Sequence, residues 1–147
     1  MSDASASQLV VFCLDDDRYA LPIFCVQEII RYSPPRDVAA EDPSVRGVIS
    51  LRGKVIPVYD LAAALGRPQS DADDSASIVI VETGDALSGL VVDTVEEVLT
   101  VGAHEIEPAP RDAAAAIDGI VKVDRHLVVL LDQDLLVSGD PAAVTVA

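Results

Sequence analysis

The feature that most limits the fold of this chain is a series of short, β-branched apolar runs fenced by Gly, Asp or Pro. They are Leu9 to Leu14, Tyr19 to Ile23, Val45 to Leu51, Val55 to Tyr59, Ile78 to Val81, Leu87 to Val92, Ile117 to Val123 and Leu127 to Leu131. Runs this short, with β-branched residues and turn residues at both ends, predict strands rather than helices. Turns are written between them as Asp15-Asp16-Asp17-Arg18, Arg52-Gly53-Lys54, Thr83-Gly84-Asp85 and Val123-Asp124-Arg125-His126. Pro22 and Pro57 fall inside strand-like runs. Proline cannot donate to a ladder, so edge strands or bulges are expected there.

Ile78-Val79-Ile80-Val81 and Leu127-Val128-Val129-Leu130-Leu131 are apolar on both faces. A sheet with one wet face would alternate, so two small sheets or barrels packed together are expected. Two short helices fit: Asp60 capping Leu61 to Leu65 before Gly66, and Asp132 opening a turn through Leu136 before Gly139. The segments Gln69 to Ser77 and Ala109 to Ala116 read as loops, and the end from Ser138 as a loose tail. The two halves also echo each other. Gly47 to Asp60 and Gly119 to Asp132 share one outline: Gly, apolar strand, charged turn, second apolar strand, capping Asp. Val26-Gln27-Glu28-Ile29-Ile30 similarly resembles Val95-Glu96-Glu97-Val98-Leu99.

With 147 residues, half of them hydrophobic, the chain can bury a core, and with few aromatics that core must be aliphatic. Its formal charge of −15, from 25 acids against 10 bases, argues against nucleic acid and anionic membrane as partners. No apolar run approaches a membrane span and Met1 to Gln8 lacks a signal-peptide pattern, so a cytoplasmic protein is expected. Cys13 and Cys25 sit in apolar runs and read as buried free thiols.

Chemistry is hard to find. His104 and His126 stand in surface-like contexts, no serine sits in a nucleophile elbow, and neither cysteine belongs to a close-spaced ligand pair. The acidic runs Asp15-Asp16-Asp17 and Asp71-Ala72-Asp73-Asp74 lack the Gly and terminal Glu of a calcium loop. Gly53-Lys54 is a turn between strands, not a phosphate loop. No catalytic residue, metal or cofactor is expected, and binding is the better reading. A small acidic hydrolase using paired carboxylates is the remote alternative.

Several co-linear segments resemble the CheW family of chemotaxis coupling proteins. They are Tyr19-Ala20-Leu21-Pro22-Ile23, Val26-Gln27-Glu28-Ile29, the stretch Val45 to Leu61, Gly89 to Val95, Glu107-Pro108-Ala109-Pro110 and Ile117-Asp118-Gly119-Ile120. The resemblance implies an all-β fold of two SH3-like five-stranded β-barrel subdomains packed on a shared apolar seam, with short helices. It places one CheW-like domain at 8–139, with one subdomain near 8–44 plus 102–139, the other near 45–101, and tails at 1–7 and 140–147.

It further implies a non-enzymatic adaptor in signal transduction, cytoplasmic but recruited to membrane-associated receptor arrays. The implied partners are the regulatory domain of the histidine kinase CheA and the cytoplasmic tip of chemoreceptors. Val26, Glu28, Gly47 and Arg52 match positions tied to coupling. Where the family commonly carries Asn before Leu-Arg-Gly, this chain has Ser50. An adaptor for a pilus-type array is the alternative within the family. Docking of so acidic a chain is expected to rest on buried apolar area and to survive added salt.

Overall fold

The structure, a computed structural model, describes residues 6–39, 43–67, 74–84, 86–111, 117–123 and 125–132. The strands are β1 (Ala6–Leu14), β2 (Asp17–Pro22), β3 (Val26–Arg31), β4 (Val45–Leu51), β5 (Lys54–Asp60), β6 (Ser77–Thr83), β7 (Ala86–Val92), β8 (Thr94–Gly102), β9 (Ile106–Glu107), β10 (Ile117–Val123) and β11 (His126–Leu131). One helical turn, α1 (Leu61–Ala64), follows β5 and is capped as expected by Asp60, which accepts the Ala63 N–H at 3.1 Å. The turn expected after Asp132 lies outside the described residues. The strands form two sheets, ordered β8-β1-β2-β11-β10-β9 and β3-β6-β7-β5-β4.

The strands that are apolar on both faces separate one core cluster from another. On β6, Val79 and Val81 face a cluster shared by the two sheets, while Ile78 and Ile80 face one enclosed by the second sheet. β1 does the same for the first sheet: Val10, Phe12 and Leu14 enter the shared cluster, and Leu9 and Val11 the other. The shared apolar seam therefore runs between the faces of β1 and β6, with Tyr59, Leu61 and Leu90 beside them. Burial on both sides of these strands explains their lack of polar alternation.

The echo between halves is structural, and the halves exchange strands. Ala20 answers to Gly89 and Val26 to Val95, each 69 residues later; Gly47 answers to Gly119 and Val58 to Leu130, each 72 later. Ladder irregularities repeat with the same spacing, skipping Gln27 in β3 and Glu96 in β8, and falling between Val45 and Gly47 and between Ile117 and Gly119. After the hairpin β1–β2 the chain leaves the first sheet and enters the second as β3. After the hairpin β6–β7 it returns to the first as β8. Val26 and Val95, at the two crossings, both pack on the shared cluster. Sheet membership therefore does not change at residues 45 and 101: β3 already belongs to the second sheet, and β8 to the first.

The two prolines depart from expectation, because neither lies on an edge strand. Pro22 ends β2 opposite Leu9, past the three residues that β11 pairs, Arg18 to Ala20. Pro57 faces Val48 across the β4–β5 ladder, but Val48 exchanges both backbone hydrogen bonds with Arg36, at 2.8 and 2.9 Å. Val48 and Pro57 are thus a non-hydrogen-bonded pair, and β7 begins pairing only at Val58. An interior strand tolerates proline where a neighbouring ladder has not begun.

Candidate functional site

Glu28 and Arg52 lie on the two outermost strands of the second sheet, β3 and the β4–β5 turn, with no ladder between those strands. Arg52 meets Glu28 with both terminal nitrogens: Nη1 donates to Oε1 and Nη2 to Oε2, the latter at 3.1 Å. This bidentate contact spans the open edge and holds the guanidinium still more firmly protonated. Behind it, Ile30, Ile49 and Leu51 pack against the core of the second sheet. The ion pair therefore rims an apolar interior while the Arg52 side chain stays 73 % exposed.

The turn that carries Arg52 is strained. Leu51 pairs with Lys54, leaving a two-residue loop in which Arg52 (φ 51°) and Gly53 (φ 82°) both have positive φ. A hairpin loop of this kind is of type I′ and favours Asn-Gly or Gly-Gly. Arginine in the left-handed region is disfavoured by contact of its Cβ with the carbonyl oxygen.

Gly47 is fixed by a different constraint. The segment bearing Pro35 and Arg36 crosses over it, and a Cβ at position 47 would stand 2.1 Å from the Arg36 carbonyl oxygen. Its φ of 145° is also one that side-chain-bearing residues rarely adopt. Val26 is half-buried against the shared cluster. The structure thus brings Glu28 and Arg52 into contact, whereas Gly47 and Val26 act on backbone and core nearby. Of the neighbouring apolar residues, Val26 and Ile30 pack inward, while Ile29 is 43 % exposed.

Sequence reasoning missed Phe24. It sits in a 3-10 turn (Ile23–Cys25) at the first crossing and is 79 % exposed, although the adjacent Cys25 is buried. A run that is apolar throughout does not reveal which side chain its short helical turn pushes outward.

Arg67 is a structural charge. Arg67 binds the Tyr19 hydroxyl at 3.1 Å, Asp17 at 3.1 Å and Asp15 at 3.3 Å, which ties α1 to the β1–β2 turn. Two of the three aspartates in that turn are therefore ion-paired, not arranged as an acid–base dyad. Asp71 to Asp73 lie outside the described residues. Among the described residues no group of His, Cys, Asp and Glu could hold a metal ion, and no helix is long and apolar enough to cross a membrane.

Both cysteines are free and buried. Burial pushes the Cys13 thiol up, helped by its hydrogen bond to Glu96. That same bond, together with Arg18 at 2.9 Å, holds Glu96 below the usual carboxylate range. A depressed folded pKa gives stability that is present above the unfolded value, about 4.3, and is lost as pH falls through the folded one. Glu96→Gln should therefore flatten the acid side of the stability profile. Urea midpoints taken from neutral to acidic pH would show this, and an unchanged profile would rule it out.

A family model described as a CheW-like domain matches residues 8–140. The chain belongs to the CheW-like family. A chemotaxis protein CheW from Bacillus subtilis is 33 % identical over 132 residues, covering 87 % of this chain and 85 % of that protein. The crystal structure of the scaffolding protein TtCheW from Thermoanaerobacter tengcongensis superposes with a TM-score of 0.82 at 32 % identity, covering 88 % of this chain and 86 % of its own. Protein FrzA from Myxococcus xanthus is 27 % identical over 112 residues, or 76 % of this chain and 70 % of that protein. The CheW-like structure shares with this chain the all-β, two-sheet fold expected from the sequence.

Proposed function

We propose that the chain is a non-enzymatic adaptor of chemotaxis signalling that couples chemoreceptors to the histidine kinase CheA. Its partners are the regulatory domain of that kinase and the cytoplasmic tip of the receptors, and its place is the cytoplasm, recruited to membrane-associated receptor arrays. Arg52, steadied by Glu28, is the coupling residue; Gly47 and Val26 hold the surrounding backbone and core. The observation that carries this reading is Arg52 itself, kept in a left-handed turn position that glycine or asparagine fits better, yet largely exposed. A strained, exposed residue of this kind is a pointer to function. Exposed apolar side chains nearby support docking: Ile29 and Val55 on the second sheet, and their repeat counterparts Val98 and Leu127 on the first.

Two substitutions test this. Arg52→Ala should leave the melting midpoint within a few degrees, because an exposed pair contributes little to stability. Arg52→Gly should raise the midpoint by a few degrees by relieving the turn. Both should lower receptor-dependent control of the kinase severalfold or more in a reconstituted array. A folded variant with normal control would remove Arg52 from the site.

A further inference from the structure

The formal charge of −15 sets this chain apart from an ordinary small domain, for which a magnitude of about 2–8 suffices for solubility. The residues described in the structure hold all 10 bases and 15 of the 25 acids. The other 10 acids come with no base, and wherever they lie they add to the charge that folding must confine. Eight of the bases are Arg; the other two are Lys54 and Lys122. Arg18, Arg46, Arg52 and Arg67 enter ion pairs. Asp16, Asp37, Glu97, Glu107 and Asp118 are exposed and enter none among the described residues.

The fold adds local crowding to this net excess. Asp15, with φ 55°, donates its N–H to Asp93 Oδ2 at 2.6 Å, which brings the Asp93 carboxylate against a turn of three aspartates. Arg67 reaches Asp15 at 3.3 Å and Asp17 at 3.1 Å. Arg18 bonds Glu96 at 2.9 Å and is held more firmly protonated by that bond and, more weakly, by Glu97. Two guanidiniums thus serve six carboxylates at one corner of the first sheet. The ion pairs include a kind that screening harms least: Arg46 and Arg52 each donate twice to one carboxylate, so hydrogen bonds remain when the Coulomb attraction weakens. Added salt therefore removes repulsion between unpaired charges and takes little from the paired ones.

Compaction is what the repulsion opposes. A chain of this length has a radius of gyration of about 15 Å folded and about 40 Å unfolded, so folding draws the like charges together. The reach of a charge falls from about 30 Å in 0.01 M salt to about 3 Å in 1 M, from most of the folded diameter to a single contact. We infer that dissolved monovalent cations are a structural requirement of this protein: its fold is marginal in dilute buffer and reaches full stability only near molar salt, the medium for which its surface is built. This property goes beyond the adaptor reading and stands whether or not that reading does.

Thermal unfolding of the full chain in KCl from about 0.01 to 1 M tests this. The wild-type midpoint should rise by about 10 °C or more, most of it below about 0.5 M, because screening saturates as the Debye length shrinks. A chain that is unfolded at the lowest salt and folds when KCl is added is the same result in its extreme form. Asp16→Asn, Asp37→Asn, Glu97→Gln, Glu107→Gln and Asp118→Asn, combined in one variant, take the charge from −15 to −10 at exposed positions. Repulsion scales with the square of the charge, so this variant should melt above the wild type in dilute KCl and show less than half of its salt-dependent rise. An undiminished rise in the variant would mean that salt acts by exclusion from the surface, as on any protein, and would overturn the inference. A wild-type midpoint that stays level or falls with added KCl would overturn it as well, since ion pairing would then outweigh the repulsion.

Discussion

Replacing Asp60 by alanine should destabilise the fold by about 3–5 kcal/mol, a large part of the roughly 5–15 kcal/mol that holds an ordinary domain together. The Asp60 carboxylate is wholly buried. Its Oδ2 accepts from Arg46 Nε at 3.0 Å and Nη2 at 2.6 Å, and its Oδ1 accepts from the Ala63 N–H. One carboxylate thus neutralises a mostly buried guanidinium and caps the helical turn that places Leu61 and Ala62 in the shared core. Truncation strips the mostly buried Arg46 guanidinium of two close charge-assisted hydrogen bonds, and loss of the cap adds about 1 kcal/mol. Asp60→Asn keeps an oxygen for the cap and should fall between wild type and alanine. Pairing Asp60→Ala with Arg46→Met should recover much of the loss, because the buried charge is removed together with its carboxylate partner. Urea denaturation at constant slope would measure all three. A cost below about 1 kcal/mol for the alanine variant, or no recovery in the double variant, would show that the buried pair does not hold β4 to β5.

That ion pair marks the limit of what the sequence discloses. Asp60 was legible as a cap because a capping residue and the turn it closes are neighbours in the chain. Its pairing with Arg46 was not, because nothing local says which of several bases reaches a given carboxylate. Strands divide in the same way. β1, β2, β4, β5, β6, β7, β10 and β11 were readable as apolar runs because one or both faces are buried. β3 and β8 were not read as strands, because the adjacent polar pairs Gln27-Glu28 and Glu96-Glu97 interrupt their apolar pattern. These two strands are also the ones that change sheets, so the exchange of strands between halves was hidden where the pattern was weakest.

The candidate site was legible only in part, and for a related reason. Glu28 and Arg52 are 24 residues apart, and their contact depends on β3 having crossed into the sheet that ends in β4. Their functional reading came from resemblance to a family; their pairing came from the fold. The left-handed strain at Arg52 was half visible, since Gly53 announces a hairpin turn but does not show that the residue before it shares the positive φ.

Gly47→Ala is expected to cost about 2–4 kcal/mol and to fail for a reason unrelated to partner contact. An added Cβ would sit 2.1 Å from the Arg36 carbonyl oxygen and 3.2 Å from the Pro35 side chain, and the first of these is far inside any real separation. Because φ is 145°, backbone strain supplies about 1–3 kcal/mol of that cost if the strand does not shift. The cheapest escape is to lift the crossing segment, which breaks the two hydrogen bonds between Arg36 and Val48 and disturbs the strand that leads to the Arg52 turn. Kinase coupling should then fall in parallel with stability, and it should recover partly at low temperature or in a background stabilised elsewhere. Arg52→Ala should behave oppositely, losing coupling without losing stability. Equilibrium unfolding of both variants, set beside kinase control measured over a range of temperatures, separates the two cases. If Gly47→Ala melts like the wild type yet uncouples the kinase, position 47 touches a partner directly, and the role assigned to the Arg36 crossing is wrong.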